Sequence, residues 1–307
     1  MRPEPVEGPS TSSGRIGRVV RLAVAQTAID VDDPETTWRG VIAAVEQAAA
    51  DGADLVVLPE LVATGSMFAD PAEATRRAEP TTGPTVRGLQ ELSARHRCVL
   101  VAGINETSEQ DRPYNSAVLI DRGDLLACYR KTHLWGREKD LFTAGDEPPP
   151  VVATSVGRVG VAICYDLEFP EVTRRLAREG AQVLAAPANW PLLGKPAGER
   201  PVEVAKAQAA ASQNKVFVAI ADRCGSDRGE AWTGGSVICD HTGYLLAQAA
   251  VGEPDVVFAT IDPEQTDDKW LGPHNDAFGD LRPELYAALR SEGDDPLRTP
   301  EKDDNEE

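Results

Sequence analysis

Apolar runs of strand length alternate along this chain with amphipathic segments of helix length, and that alternation restricts the fold more than any other feature. "RLAVAQTAI" is followed by "DPETTWRGVIAAVEQAAADG", which is acidic at its start, amphipathic in the middle and closed by Gly52, the pattern of a capped helix. "ADLVVLPE" then reads as a strand, "TVRGLQELSARH" as a helix and "CVLVAGI" as a strand. "YNSAVLIDRGDLLACYRK" reads as a hairpin around Arg122-Gly123-Asp124, and "VVATSVGRVGVAICYD" as a second hairpin with its turn at Gly157-Arg158. "FPEVTRRLAREG" and "VEVAKAQAAASQNK" are helical, with "AQVLAAPANW" a strand between them. "VFVAIADR", "GGSVICD", "YLLAQAA" and "VVFATID" are the closing strands. Apolar strands separated by helices imply sheets covered by helices, an α/β architecture.

No linker or composition break divides these elements, so residues 18–290 are expected to form a single domain. Residues 1–17 are rich in Pro, Gly and Ser and lack the apolar core of a secretory signal, and 291–307 are acidic; both are expected to be disordered extensions. The net charge of -19 argues against a nucleic-acid partner, which needs clustered Lys and Arg. No apolar run approaches membrane-spanning length, so no membrane partner is expected. Cys98, Cys128, Cys164, Cys224 and Cys239 are odd in number and widely spaced, which disfavours disulfides and a zinc cage and points to the cytoplasm. His96, His133, His241 and His274 lack ligand spacing, so neither a metal nor another cofactor is expected.

Three ionisable residues sit where apolar strands stop. Glu60 closes "ADLVVLPE", Lys131 closes "LLACYRK", and Cys164 ends the run Val159–Ile163. Ligands of open α/β sheets bind outside the carboxyl ends of strands. A carboxylate, an ammonium and a thiol there suit covalent catalysis on a carbonyl. Taken singly, Cys164 more often reads as a small buried hydrophobe, and Glu60 and Lys131 as surface charges.

The motifs "LVVLPEL", "CYRKTHLWGREKDLFTAG", "GVAICYDLEFPE", "AAPANWP" and "VFVAIADRCG", in this order, resemble those of the nitrilase (carbon–nitrogen hydrolase) superfamily across residues 19–285. The resemblance implies a four-layer α-β-β-α sandwich, two copies of which pair through their helices, giving a homodimer or higher homo-oligomer. It implies a catalytic triad, carried over to Glu60, Lys131 and Cys164. It also implies a second glutamate four residues before the Phe of "FTAG", here Glu138. The expected substrate contacts are Tyr165, Asn189, Trp190, Trp135 and Met67.

The resemblance also implies a reaction: hydrolysis of a small amide to acid and ammonia through a thioester on Cys164. Glu60 would act as the base, and Lys131 with the Tyr165 N–H would hold the oxyanion. Tyr165-Asp166 after the cysteine is similar to the amidase and carbamoylase branches, whereas nitrilases tend to carry Trp-Glu. N-carbamoyl hydrolysis, acyl transfer and, less favoured, nitrile hydrolysis stay open, as does a binding module on the same fold. Glu168 stands where many relatives carry Arg. It would favour a neutral or amine-bearing amide over an acid, or would simply suit the first turn of the following helix.

Overall fold

The computed structural model describes residues 19–285. The expected extensions 1–17 and 291–307 lie outside the described residues. Two compact units divide the chain, one through Asp268 and one from Lys269.

The first unit opens with β1 (Val20–Gln26), α1 (Pro34–Ala50), β2 (Leu55–Val57), α2 (Pro71–Arg76), α3 (Pro84–His96), β3 (Val99–Glu106), β4 (Tyr114–Asp121) and β5 (Asp124–Arg130). The Asp33 side chain accepts from Thr36 N at 3.0 Å and Pro34 opens the helix, so α1 starts where its cap and fixed φ dictate. The β4–β5 turn places Arg122 at φ 52° and Gly123 at φ 99°, both left-handed, the geometry that suits a two-residue hairpin. The second half carries α4 (Glu138–Leu141), β6 (Val151–Thr154), β7 (Gly157–Val161), a 3-10 helix (Cys164–Glu168), α5 (Pro170–Arg178), β8 (Val183–Ala188), α6 (Val202–Asn214) and β9 (Phe217–Asp222). Two short strands, β10 (Ser226–Asp227) and β11 (Glu230–Ala231), precede β12 (Val237–Cys239), β13 (Leu245–Gln248) and β14 (Asp255–Ile261).

Two six-stranded sheets result, ordered β14-β1-β2-β3-β4-β5 and β13-β12-β9-β8-β7-β6. Each has three parallel strands at its centre (β1, β2, β3 and β7, β8, β9) with antiparallel strands outside. Ala23, Ala25, Val56, Leu100 and Ala102 face Val41, Val45, Val86 and Leu89 of α1 and α3 in one apolar cluster. The alternate residues Leu22, Val24, Leu55 and Val57 are also fully buried, because β1 and β2 pack against β8 and β9 of the other sheet. Each such side chain contributes about 1.5–3 kcal/mol of burial. Covering both faces explains the near-continuous apolar runs of these strands.

The β6–β7 turn falls at Ser155-Val156, since Thr154 pairs with Gly157, and not at Gly157-Arg158 as the sequence suggested. Gly157 is a strand residue instead, and a Cβ there would lie 2.7 Å from Gln182 Oε1. Its φ of 121°, which L side chains rarely adopt, accounts for that glycine. No helix among the described residues is long and apolar enough to cross a membrane.

In the second unit, β15 (Trp270–Gly272) pairs with β16 (Asn275–Asp276), and the Lys269 ammonium sits 5.2 Å from the centre of the Phe278 ring. The Asp276 side chain accepts from Phe278 N and Gly279 N, fixing the turn that follows. Leu281 and Leu285 are exposed.

Candidate active site

Glu60, Lys131 and Cys164 come from different elements, each just past a strand. β2 ends at Val57, and the next residues bond onto β3: Leu58 N to Val101 O, Gly103 N to Pro59 O, and Val62 N to Gly103 O. Glu60 N also donates to Ala188 O of β8, so this turn joins the two sheets. Leu61 adopts φ 49°, which turns the chain sharply after Glu60. Lys131 directly follows β5, tied by Lys131 N to Asn115 O at 2.8 Å.

The strand before Cys164 stops at Val161, and Cys164 opens the 3-10 helix at φ 44°. A non-glycine residue there is strained by about 1–3 kcal/mol and is held only by its surroundings. Asp166 supplies the hold. This fully buried carboxylate accepts from Ile163 N at 2.9 Å and from the Tyr129 hydroxyl at 2.9 Å, and it pairs with His133 Nδ1 at 2.8 Å. The cysteine elbow is thereby bonded to both flanks of Lys131.

Lys131 is fully buried and its Nζ lies 2.6 Å from Glu60 Oε1 and 2.8 Å from Glu138 Oε2. Asn115 Nδ2 donates to Glu60 Oε1 at 2.7 Å, and Trp135 N donates to Glu138 Oε2 at 2.8 Å. Glu60 Oε2 has no hydrogen-bond partner among the described residues. Burial alone would depress the Lys131 ammonium, but Glu138 and Glu60 outweigh it and hold its pKa well above the lysine range. Burial raises Glu138 to about 7 against the pull of Lys131. Burial and the Glu60 carboxylate push the Cys164 thiol up, against the pull of Lys131, so the resting sulfur is protonated.

Cys164 opens into a cleft of about 130 Å³ lined also by Trp135, Tyr165, Asn189 and Trp190. A cavity of about 150 Å³ holds a benzene molecule, so only a small group fits beside the sulfur. Cys164 Sγ lies 3.8 Å from Asn189 O, and the buried Asn189 amide has no hydrogen-bond partner among the described residues. The next peptide is fixed by Asp222, which accepts from Trp190 N at 2.8 Å and from Gly235 N at 2.9 Å. Trp135, 47% exposed, meets the Tyr165 ring edge-on at 4.8 Å between centres. Met67 is not among the residues lining the cleft; its carbonyl accepts from Arg228 Nη1.

Asn115 and Asp166 were not anticipated from sequence. Asn115 is a fully buried polar residue near the start of β4, ahead of the apolar run 117–120, a signal that was available. Glu168 lies in the 3-10 helix before Phe169, the N-cap of α5, and so outside that helix's first turn; its carboxylate pairs with Lys206.

Residues 21–269 match the family model for carbon-nitrogen hydrolases. The chain is 35% identical over 269 residues to a nitrilase of Pyrococcus abyssi, spanning 87% of this chain and 99% of that one. It is 36% identical over 202 residues to an (R)-stereoselective amidase of Pseudomonas sp., spanning 65% and 70% of the two chains. Among solved structures, a Glu→Gln mutant of the amidase from Nesterenkonia sp. AN1, showing the result of Michael addition of acrylamide at the active site cysteine, superposes with a TM-score of 0.74 at 27% identity, covering 88% of this chain and 99% of that one.

The fold is therefore the four-layer α-β-β-α sandwich of the nitrilase type. The chain belongs to the carbon–nitrogen hydrolase family, and it is a hydrolase of carbon–nitrogen bonds other than peptide bonds.

Proposed function

We propose that this enzyme hydrolyses a small amide to a carboxylic acid and ammonia through a thioester on Cys164. The observation that carries the reading is the meeting of a buried thiol, opening to a small cleft, with the Glu60–Lys131–Glu138 cluster, all three of whose charges act on that thiol. The active-site cysteine of the Nesterenkonia amidase takes up acrylamide, which supports covalent chemistry at the corresponding position.

Because the thiol rests protonated, attack and deprotonation go together. Glu60 Oε2, the oxygen without a partner, takes the proton as sulfur bonds to the amide carbonyl carbon. Lys131 stays charged throughout and has no site to accept a proton. Its role is electrostatic, pairing with Glu60 and stabilising the oxyanion with the Tyr165 N–H, which lies in the first turn of the 3-10 helix and lacks an intrahelical acceptor. Glu60 returns its proton to the departing nitrogen, the C–N bond breaks, and ammonia leaves. Glu60 then takes a proton from water, the hydroxide adds to the thioester carbonyl, and the C–S bond breaks as Glu60 returns that proton to the sulfur, giving the acid and the thiol. Glu138 bonds Lys131 and positions it. The Asn189 carbonyl, 3.8 Å from the sulfur, is placed to accept from the substrate amide N–H.

This reading includes a cytoplasmic, homo-oligomeric enzyme, supported by the cysteine pattern and by the family's pairing through helices. Ammonia release from a panel of small amides tests the reaction. A Cys164→Ala variant that released ammonia at the wild-type rate would sink it.

A further inference from the structure

Beyond Cys164 the cleft is charged on one side. Glu168 comes from the 3-10 helix that Cys164 opens, and Glu203 and Lys206 lie three residues apart on α6, where they share a face. All three line the same cleft as the sulfur, and Lys206 pairs with Glu168. The pair is about one-third exposed on each side, so both groups reach the cleft water. Glu203 sits in the first turn of α6.

The cleft walls thus carry two carboxylates and one ammonium, and no arginine. Beneath them, Glu60, Lys131 and Glu138 repeat the same two-to-one ratio. Lys195, Glu199 and Arg200 line an adjoining trough on the exposed segment before α6. The Lys195 ammonium and the Arg200 guanidinium bond to Glu199 O and Gln208 Oε1, and charges this exposed are screened within about one Debye length, ~8 Å at physiological salt. The formal charges lining the cleft itself sum to a net negative.

We propose that Glu203 and the Glu168–Lys206 pair select the substrate's charge, favouring small amides that carry an amine on the acyl side over neutral ones, and neutral ones over acids. The inference rests on the amide-hydrolase reading above. An ammonium entering the cleft gains Glu203 directly and competes with Lys206 for Glu168. A carboxylate meets two like charges and must displace Glu168 from Lys206. One partly solvated charge changes such a preference by about 3- to 10-fold.

Two measurements test this with wild type and with Glu203→Gln, Glu168→Gln and Lys206→Met. The first is kcat/KM for 3-aminopropanamide, butanamide and succinamic acid, read as ratios between variants so that intrinsic reactivity cancels. The amine-to-neutral ratio is expected to fall about 3- to 10-fold in Glu203→Gln and in Glu168→Gln, and to rise by a similar factor in Lys206→Met. The second needs no amide turnover: the rate at which ammonium- and sulfonate-bearing methanethiosulfonates modify Cys164, followed on its own peptide. The ammonium reagent is expected to react faster, with the preference reduced in Glu203→Gln and by high salt. Ratios unmoved by all three substitutions in both assays overturn the charge inference. Turnover of none of the amides, with the reagent preference intact, overturns the amide-hydrolase reading and leaves a charge-selective thiol cleft.

Discussion

Replacing Lys131 with methionine tests the energetics of the buried cluster independently of any substrate. Lys131 is fully buried and neutralises two carboxylates at 2.6 and 2.8 Å. Methionine fills most of the lysine volume but leaves Glu60 and Glu138 facing each other without a counter-charge. Breaking a buried pair in this way costs about 3–5 kcal/mol. For a chain of this size that lowers Tm by roughly 10 °C. The sign of a second substitution is the sharper test. In wild type, Glu138→Gln removes a charged bond to Lys131 and destabilises by about 1–3 kcal/mol. In the Lys131→Met background the same change removes an uncompensated buried carboxylate, and it is expected to stabilise by about 1 kcal/mol or more.

The pH dependence follows with a definite sign. Burial already raises Glu138 to about 7 with the ammonium present, and removing the ammonium raises it further. A carboxyl raised in the folded state keeps its stability contribution below its unfolded pKa and loses it as pH rises through the folded pKa. The Lys131→Met deficit is therefore smaller at pH 5 than at pH 8. Calorimetry on wild type, both single variants and the double variant reads all of this. Glu138→Gln destabilising equally in both backgrounds would refute the reasoning.

Other outcomes follow from the scaffold around the site. Gly103→Ala places a Cβ 2.5 Å from Glu60 Cα and from Leu61 N, so it should displace the Glu60 turn and lower kcat more than tenfold, checked by ammonia release beside a circular dichroism spectrum. Asp166→Ala removes the acceptor shared by Ile163 N and the Tyr129 hydroxyl, which holds Cys164 in its left-handed conformation; a fall of about 10- to 100-fold in kcat with little change in KM is expected from steady-state kinetics. Glu73 is held at about 2, chiefly by its hydrogen bond from Arg228, so its contribution to stability is present above the ordinary glutamate pKa and lost as pH falls from about 4.5 toward 2. Glu73→Gln should flatten that acid limb in a thermal-melt series.

The strand ends carried much of the site in the sequence itself. Glu60, Lys131 and Cys164 were visible as polar residues stopping apolar runs, and the helices between those runs fixed the layering. Asp166 was less legible, because its partners Tyr129 and His133 lie more than thirty residues away in the chain and meet it only through the fold. Lys206 was invisible for the same reason: it approaches Glu168 only because α6 packs over the cysteine elbow. Gly157 misled the turn assignment, since a glycine required by a positive φ at the start of a strand has the same sequence signal as one required by a turn.

The most direct test of the central claim is intact-protein and peptide mass spectrometry of wild type and Glu60→Gln after mixing with a small amide, with ammonia followed in parallel. The account predicts an acyl adduct on the Cys164 peptide, one ammonia released for each adduct formed, and slower adduct decay in Glu60→Gln, because that variant lacks the base that activates water. Ammonia released steadily by Cys164→Ala, or an acyl group found on another residue, would contradict it.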